Sequence, residues 1–339
     1  MSSRLYCPEE LSDLIRAGRV FCIAAEEQLL KKLPRGNWIG GSSPYFMSDQ
    51  GGVVSREKIF ATDLTKVTTG FNITLVDEHE LKKVYTNTPE NGFTCLILPS
   101  MSPVHLSYAL NASEYPDFAF RPVIGWVSGM HLFDLGEKSA KVVHGPTGEI
   151  SSDKGVAMHV TLPPEMMCDI GMVNIFKQGT DDILEFPETG FHAKKVFVNG
   201  EEKCFLDYLK SKRLNFKLPL IADSAGAKVN ASFQAIDPKE KVVKFYAPVF
   251  KGATYRQAEL LDDYATEFIR NLPASSERIL LSFNCILNFL YSELEGRRIG
   301  SIAGPVTFGE IGYVLLNQTM VYLSIYLREE EGSFISQSQ

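Results

Sequence analysis

The chain has 339 residues, enough to bury a large core as about two domains or one large one. It carries 34 lysines and arginines against 41 aspartates and glutamates, a net charge of −7 with no basic block, which argues against nucleic acid or an anionic membrane as partner. The cysteines (Cys7, Cys22, Cys95, Cys168, Cys204, Cys285) form no C-x-x-C pair, which fits a reducing, cytoplasmic setting better than a disulfide framework or a zinc site.

Pro8-Glu9-Glu10 before Leu11, Leu14 and Ile15 starts a helix that Gly18 stops. Residues 19–24 read as a strand and 25–33 as a helix, and Pro34-Arg35-Gly36 punctuates before a strand entering Gly40-Gly41-Ser42-Ser43. The first apolar run closes on Glu26-Glu27 and the last is broken by Asn317-Gln318-Thr319, so neither a signal peptide nor a membrane span is expected. Strands follow at 53–64, 71–76 and 94–98, with a short helix at 79–83. Residues 121–129 form a second glycine-bearing strand, and strands recur at 140–144 and 156–162. Val196-Phe197-Val198 runs into Asn199-Gly200, a turn signal, before a helix at 203–213. Strands at 228–236 and 242–250, an amphipathic helix at 255–272, a buried strand at 279–285 and a helix ending at Gly296 complete the α/β rhythm. Residues 302–308 and 313–327 read as two last strands, and the polar end as a frayed tail.

Three stretches repeat one pattern: Ile39-Gly40-Gly41-Ser42-Ser43, Ile124-Gly125-Trp126-Val127-Ser128 with Gly129 after it, and Ile302-Ala303-Gly304-Pro305-Val306. Small residues at a strand end let a ligand or another backbone approach, and their N–H groups bind anions, although glycines also simply make turns. Arg35 and Arg121 precede two of the motifs and offer a planar fork to an anion, or a surface role. Trp38 and Trp126 suit a pocket wall or the core. Glu310 sits where two apolar stretches meet, where a carboxylate needs a donor or solvent; with Asn317 it reads as a polar pocket rim or as a solvated hairpin.

Cys285, ending a buried strand, is either an inert core thiol or a nucleophile with Glu310 as acid–base partner. No P-loop, G-x-G-x-x-G, G-x-S-x-G or H-E-x-x-H accompanies it. None of the six histidines has metal-ligand spacing; His131 is the candidate proximal ligand should haem be bound.

In order and spacing these motifs resemble the FIST family, sensory proteins with paired N- and C-terminal domains, and within it a stand-alone bacterial branch with an RGNWIGG-x-x-PYFM motif. Asn37 to Ser43 resembles its early glycine/serine motif, and Pro122 to Gly129 with Gly155-Val156-Ala157 its second. Val196 to Leu209 resembles the opening of the C-terminal half, Ile279 to Cys285 the strand ending in cysteine, and Phe308-Gly309-Glu310 with Asn317-Gln318-Thr319 the closing elements. The resemblance implies an α+β fold of mixed and antiparallel sheets with packed helices in two halves, which a composition shift near Gly190 to Lys195 divides at 1–192 and 193–327, with the polar end as a flexible tail at 328–339. It also implies a small-molecule pocket between the halves, signalling through a partner protein, and haem in some members. Ile286-Leu287-Asn288 follows Cys285 where an arginine often stands, and no signalling module is attached.

The expectation is an intracellular sensor or adaptor without intrinsic catalysis or resident metal, binding an amino acid or small carboxylate. Its ligand set is Arg35, Trp38, Gly40, Gly41, Ser42, Ser43, Arg121, Gly125, Trp126, Ser128, Gly129, Cys285, Glu310 and Asn317. The alternatives are a haem-binding gas or redox sensor and a cysteine-dependent enzyme.

Overall fold

Strands that alternate with short helices in the sequence assemble into three six-stranded sheets built to one plan, together with a separate antiparallel unit. The structure, a computed structural model, describes residues 3–224, 227–298 and 302–328. The expected tail beyond residue 328 lies outside them. The fold is α+β, with mixed and antiparallel sheets and packed helices. Contacts divide the chain into two units, one taking residues up to Val173, Leu272–Leu315 and those from Met320 onward, the other Asn174–Asn271 and Leu316–Thr319. The expected boundary at 192/193 falls inside the second unit.

In the first unit each sheet is centred on a parallel strand pair joined by a helix. Phe21–Ala25 pairs with Trp38–Ser42, Gly92–Pro99 with Val123–Ser128, and Ile279–Cys285 with Gly304–Thr307. Beyond the first strand of each pair lie two antiparallel strands: Ile59–Asp63 then Ser3–Tyr6, Gly155–Thr161 then Gly70–Val76, and Met320–Leu327 then Met166–Val173. Beyond the second strand lies a hairpin taken from elsewhere in the chain. The hairpin after Trp38–Ser42 (Tyr45–Ser48, Gly51–Val54) completes the third sheet. That after Val123–Ser128 (Val142–His144, Glu149–Ser151) completes the first, and that after Gly304–Thr307 (Glu310–Gly312, Val314–Leu316) the second. The first unit is therefore a threefold internal repeat over residues 3–63, 70–161 and 166–327, with hairpins exchanged in a ring. Residues 174–271 are inserted in the third repeat between its first and second strands, where the others carry the helices Pro8–Arg16 and Lys83–Thr86.

Local sequence explains the elements. Pro8–Arg16 has proline in its first turn with Glu9 and Glu10, Arg16 in its last, and buries Leu11 and Ile15 among Tyr6, Phe21 and Trp38. Gly18, at φ +82°, turns the chain back as expected. The helix Pro103–Asn111, which apolar periodicity did not single out, is started by Pro103 and by the Ser102 hydroxyl accepting from the His105 N–H at 3.2 Å. Residues 53–64, read as one strand, are parts of two: Gly51–Val54 joins the third sheet and Ile59–Asp63 the first.

The strand ladders described in the second unit are antiparallel, with one isolated parallel bridge between Phe186 and Lys251. Its core gathers Phe186, Phe205, Phe233, Phe245 and Tyr255, with Phe186 meeting the rings of Phe205 and Tyr255 edge-on at 5.3 and 5.4 Å. Asn199-Gly200, both at positive φ, makes the expected turn between Lys195–Val198 and Glu201–Cys204. The expected helix at 255–272 is corrected: Thr254–Gln257 is a strand, burying Tyr255 in this core, and the helix Tyr264–Arg270 starts only where the Asp263 carboxylate accepts from the Thr266 N–H.

Candidate functional site

The strand registers make the three small-residue motifs equivalent. Ser42 lies opposite Ala25, Val127 opposite Leu98 and Val306 opposite Asn284, so the next residues, Ser43, Ser128 and Thr307, are one hydroxyl position occurring three times. Ser43 is 1% exposed and the other two 0%. The three strand ends are laced together by hydrogen bonds. The Ser42 hydroxyl donates to the Gly129 carbonyl (2.6 Å) and accepts from the Lys141 N–H (2.8 Å), and the Gly129 N–H donates to the Ser42 carbonyl (2.8 Å). The Ser43 hydroxyl donates to the Val306 carbonyl (2.8 Å), and the Phe308 N–H to that of Val127 (3.0 Å).

Period-two alternation puts Trp126 and Ser128 on one face of their strand, and Glu310, opposite Trp126 in the antiparallel ladder, on the same face. The Trp126 ring stacks on Phe283 with centroids 6.2 Å apart, which directs Phe283 and, two residues on, Cys285 to the same interior. Thr307 lies opposite Cys285, and its hydroxyl is 3.2 Å from Glu310 Oε1 and 3.3 Å from the Asn284 carbonyl. Trp126, Ser128, Cys285, Thr307 and Glu310 are all 0% exposed. Among the described residues, Trp126 Nε1 and Ser128 Oγ are buried with no hydrogen-bond partner.

The repeat shows which of these groups the fold does not require. The position of Glu310, opposite Trp126, corresponds to Val142 opposite Gly41 and to Phe46 opposite Pro305. Two repeats close this part of the sheet with apolar side chains and the third buries a carboxylate. Likewise Trp126 stands where the others have Gly41 and Pro305. The arrangement offers an indole N–H and a hydroxyl as donors and a carboxylate as acceptor, inside an apolar wall.

The expected ligand residues fare differently. Ser128, Trp126, Cys285 and Glu310 are gathered here, with Ser42, Ser43 and Gly129 forming the lacing around them. The expectation that the glycines leave room for a ligand is corrected. A Cβ on Gly41 would sit 2.7 Å from Trp126 Cη2 and from Ile97 Cγ2, one on Gly40 2.9 Å from the Trp38 ring, and those on Gly125 and Gly129 would strike the Leu96 carbonyl and the Phe308 ring. Trp38 belongs to the core under Pro8–Arg16, with its Nε1 donating to the Pro34 carbonyl (2.9 Å). Arg35 is exposed, and Arg121 lies 3.6 Å from Glu90 at the N-terminal end of its strand, the opposite end from Ser128. Asn317 belongs to the second unit, its carbonyl accepting from Asn230 Nδ2. His131 is half-buried, stacked on Tyr45 at 5.6 Å, and its Nδ1 accepts from the Phe133 N–H. No group of three or more His, Cys, Asp or Glu side chains that could hold a metal occurs among the described residues. Thr307 was not singled out from the sequence, although a hydroxyl three places after the glycines Gly40, Gly125 and Gly304 was there to be seen.

The chain belongs to a family of unknown function, DUF6976, whose model it matches over residues 6–326. No curated protein matches it. This membership replaces the resemblance to the FIST family. The glycine and serine motifs that carried that resemblance are instead the equivalent strands of a threefold repeat.

Proposed function

We propose that the first unit binds a small polar molecule at the centre of its three sheets, held by Trp126 Nε1–H, the Ser128 hydroxyl and the Glu310 carboxylate. The observation that carries this reading is the pair of buried donors without partners on the face that also buries Glu310. Leaving such groups unmade costs about 1–3 kcal/mol each, which a fold indifferent to them would shed by substitution. The donors suit a carboxylate or carbonyl oxygen of the ligand, and Glu310 suits an ammonium or hydroxyl group on it, so amino acids and small carboxylic acids bearing a donor are the class proposed. No catalytic step is assigned. The role is that of a sensor or adaptor whose bound state is read by a partner protein.

The cytoplasm is the proposed setting. All six cysteines are free, including Cys22 and Cys95, whose sulfurs lie 3.6 Å apart. No helix among the described residues is long and apolar enough to cross a membrane.

A thermal-shift screen of amino acids and small carboxylates tests the reading. A ligand that binds only the folded state stabilises it by about 2.7 kcal/mol at a hundredfold excess over Kd. The effect is expected to vanish in Trp126→Phe and Glu310→Gln. A shift that survives both substitutions would contradict this site.

A further inference from the structure

A second departure from the threefold plan lies on the flank of the second sheet. Between its first two strands the first repeat carries the nine-residue helix Pro8–Arg16, whose Leu11 and Ile15 pack on Phe21. The second repeat carries only the four-residue helix Lys83–Thr86 there. Ala61 opposite Ile23 and Ala157 opposite Leu96 fix the register, so the places of Phe21 and Asp63 in the first sheet are those of Thr94 and His159 in the second. Under the short helix there is a cleft of about 140 Å³ lined by Thr74, Glu80, Lys83, Val84, Asn87 and His159.

The hydrogen bonds around His159 fix its tautomer. The Thr88 hydroxyl donates its one proton to the Val84 carbonyl (2.8 Å), so in the 2.7 Å contact between Thr88 and Thr94 it is Thr94 that donates. The Thr94 hydroxyl is then an acceptor towards His159, and Nδ1–H of the ring donates to it at 2.6 Å. Nε2 is left as a bare lone pair, on a ring that is 4% exposed and lines the cleft. Burial pushes the imidazole down to about 4, so it is neutral near pH 7 and stays an acceptor. Lys83 and Asn87, on the helix side, supply an ammonium and an amide, with Glu80 3.5 Å from Lys83.

We propose that this cleft is a second binding site, for a small hydroxy acid whose hydroxyl donates to His159 Nε2 and whose carboxylate meets the Lys83 ammonium and the Asn87 amide. The size agrees: a cavity of about 150 Å³ takes up benzene, and glycolate and lactate have about as many heavy atoms. The proposal is independent of the central site, since it rests on other residues of the same unit.

The test is a titration of the full chain with glycolate and with lactate, against acetate, propionate and glycerol, read by calorimetry and by the imidazole 15N resonances. Saturable binding of the hydroxy acids is expected, with a shift of the His159 Nε2 resonance as its lone pair gains a donor. Acetate, propionate and glycerol are expected to bind at least about tenfold more weakly, a difference of about 1.4 kcal/mol. The same loss is expected in His159→Gln and in Lys83→Met. Lys83 has a side chain 57% exposed, so its replacement leaves the fold intact if the buried His159 variant does not fold. Absence of saturable binding, equal binding of acetate, propionate or glycerol, an unmoved His159 resonance, or full affinity in Lys83→Met would each overturn the proposal.

Discussion

Ser128→Ala should make the ligand-free protein more stable. The Ser128 hydroxyl is fully buried and meets no hydrogen-bond partner among the described residues, and a buried polar group left unmade costs about 1–3 kcal/mol. Alanine removes that cost and keeps Cβ, leaving a void smaller than one water, which at about 24 cal/mol per Å³ costs only a few tenths of a kcal/mol. The net expectation is a gain of about 1–2 kcal/mol, or several degrees in Tm at about 2–4 °C per kcal/mol for a unit of this size. Both tryptophans, Trp38 and Trp126, lie in the first unit, so tryptophan fluorescence in urea follows that unit alone. The same variant should bind the central ligand more weakly, a trade of stability for function. A urea midpoint lowered by the substitution would refute the reasoning, because it would show that the hydroxyl is satisfied in solution and that the polar centre is structural.

Acid should destabilise the first unit in a defined window. Burial holds both His105 and His159 at about 4, against an ordinary value near 6.5, so the unfolded chain binds more protons between those pH values. Stability is full above about pH 6.5, falls through the window by about 3 kcal/mol per histidine, and loses this dependence below about pH 4. Urea midpoints from pH 7.5 to 4 check it, and His159→Gln should roughly halve the fall, leaving the part due to His105. Gly125→Ala should cost about 2 kcal/mol or more, since its Cβ would strike the Leu96 carbonyl of the neighbouring strand and backbone cannot yield. Gly190→Ala, in the second unit and with nothing within 4 Å among the described residues, should stay within about 0.5 kcal/mol of the parent, read by hydrogen exchange in that unit. In the second unit, Phe205→Ala removes a ring packed on Phe186, Phe233 and Phe245 and should cost about 3–5 kcal/mol, seen as faster hydrogen exchange in Val242–Val249.

Much of the first unit was legible residue by residue. The helix from Pro8 to Arg16 and the strands Phe21–Ala25, Gly92–Pro99 and Ile279–Cys285 announce themselves by caps, periodicity and apolar runs. The likeness among the three glycine-bearing stretches was visible too, but not its meaning. A threefold repeat is defined by which strand pairs with which, and the hairpins at residues 45–54, 142–151 and 310–316 each pair outside their own repeat, a long-range fact that local pattern does not carry. The insertion at 174–271 hid the repeat further by separating Met166–Val173 from Ile279–Cys285.

The site was half legible for the same reason. Glu310 stood out as a carboxylate between apolar runs, and Trp126 and Ser128 as polar-bearing residues beside Gly125 and Gly129. That they point to the same interior as Cys285 and Thr307 of the third sheet depends on long-range strand pairing and register. Arg35 and Arg121 looked like anion forks because they precede the motifs in sequence, yet a strand carries its two ends apart, and the hydroxyls are at the other end.

The central claim is tested most directly at the indole of Trp126. The chain has two tryptophans, and they differ in one respect: Trp38 Nε1 donates to the Pro34 carbonyl, whereas Trp126 Nε1 meets no acceptor among the described residues. An 15N-correlated spectrum of deuterated protein therefore shows two indole resonances, assigned by Trp38→Phe and Trp126→Phe. Titration with the amino acids and small carboxylates of the screen should move the Trp126 resonance downfield in a saturable way and leave that of Trp38 in place. A Trp126 resonance already at the hydrogen-bonded position and unmoved by every compound would contradict the account, and would make the polar centre a part of the fold alone.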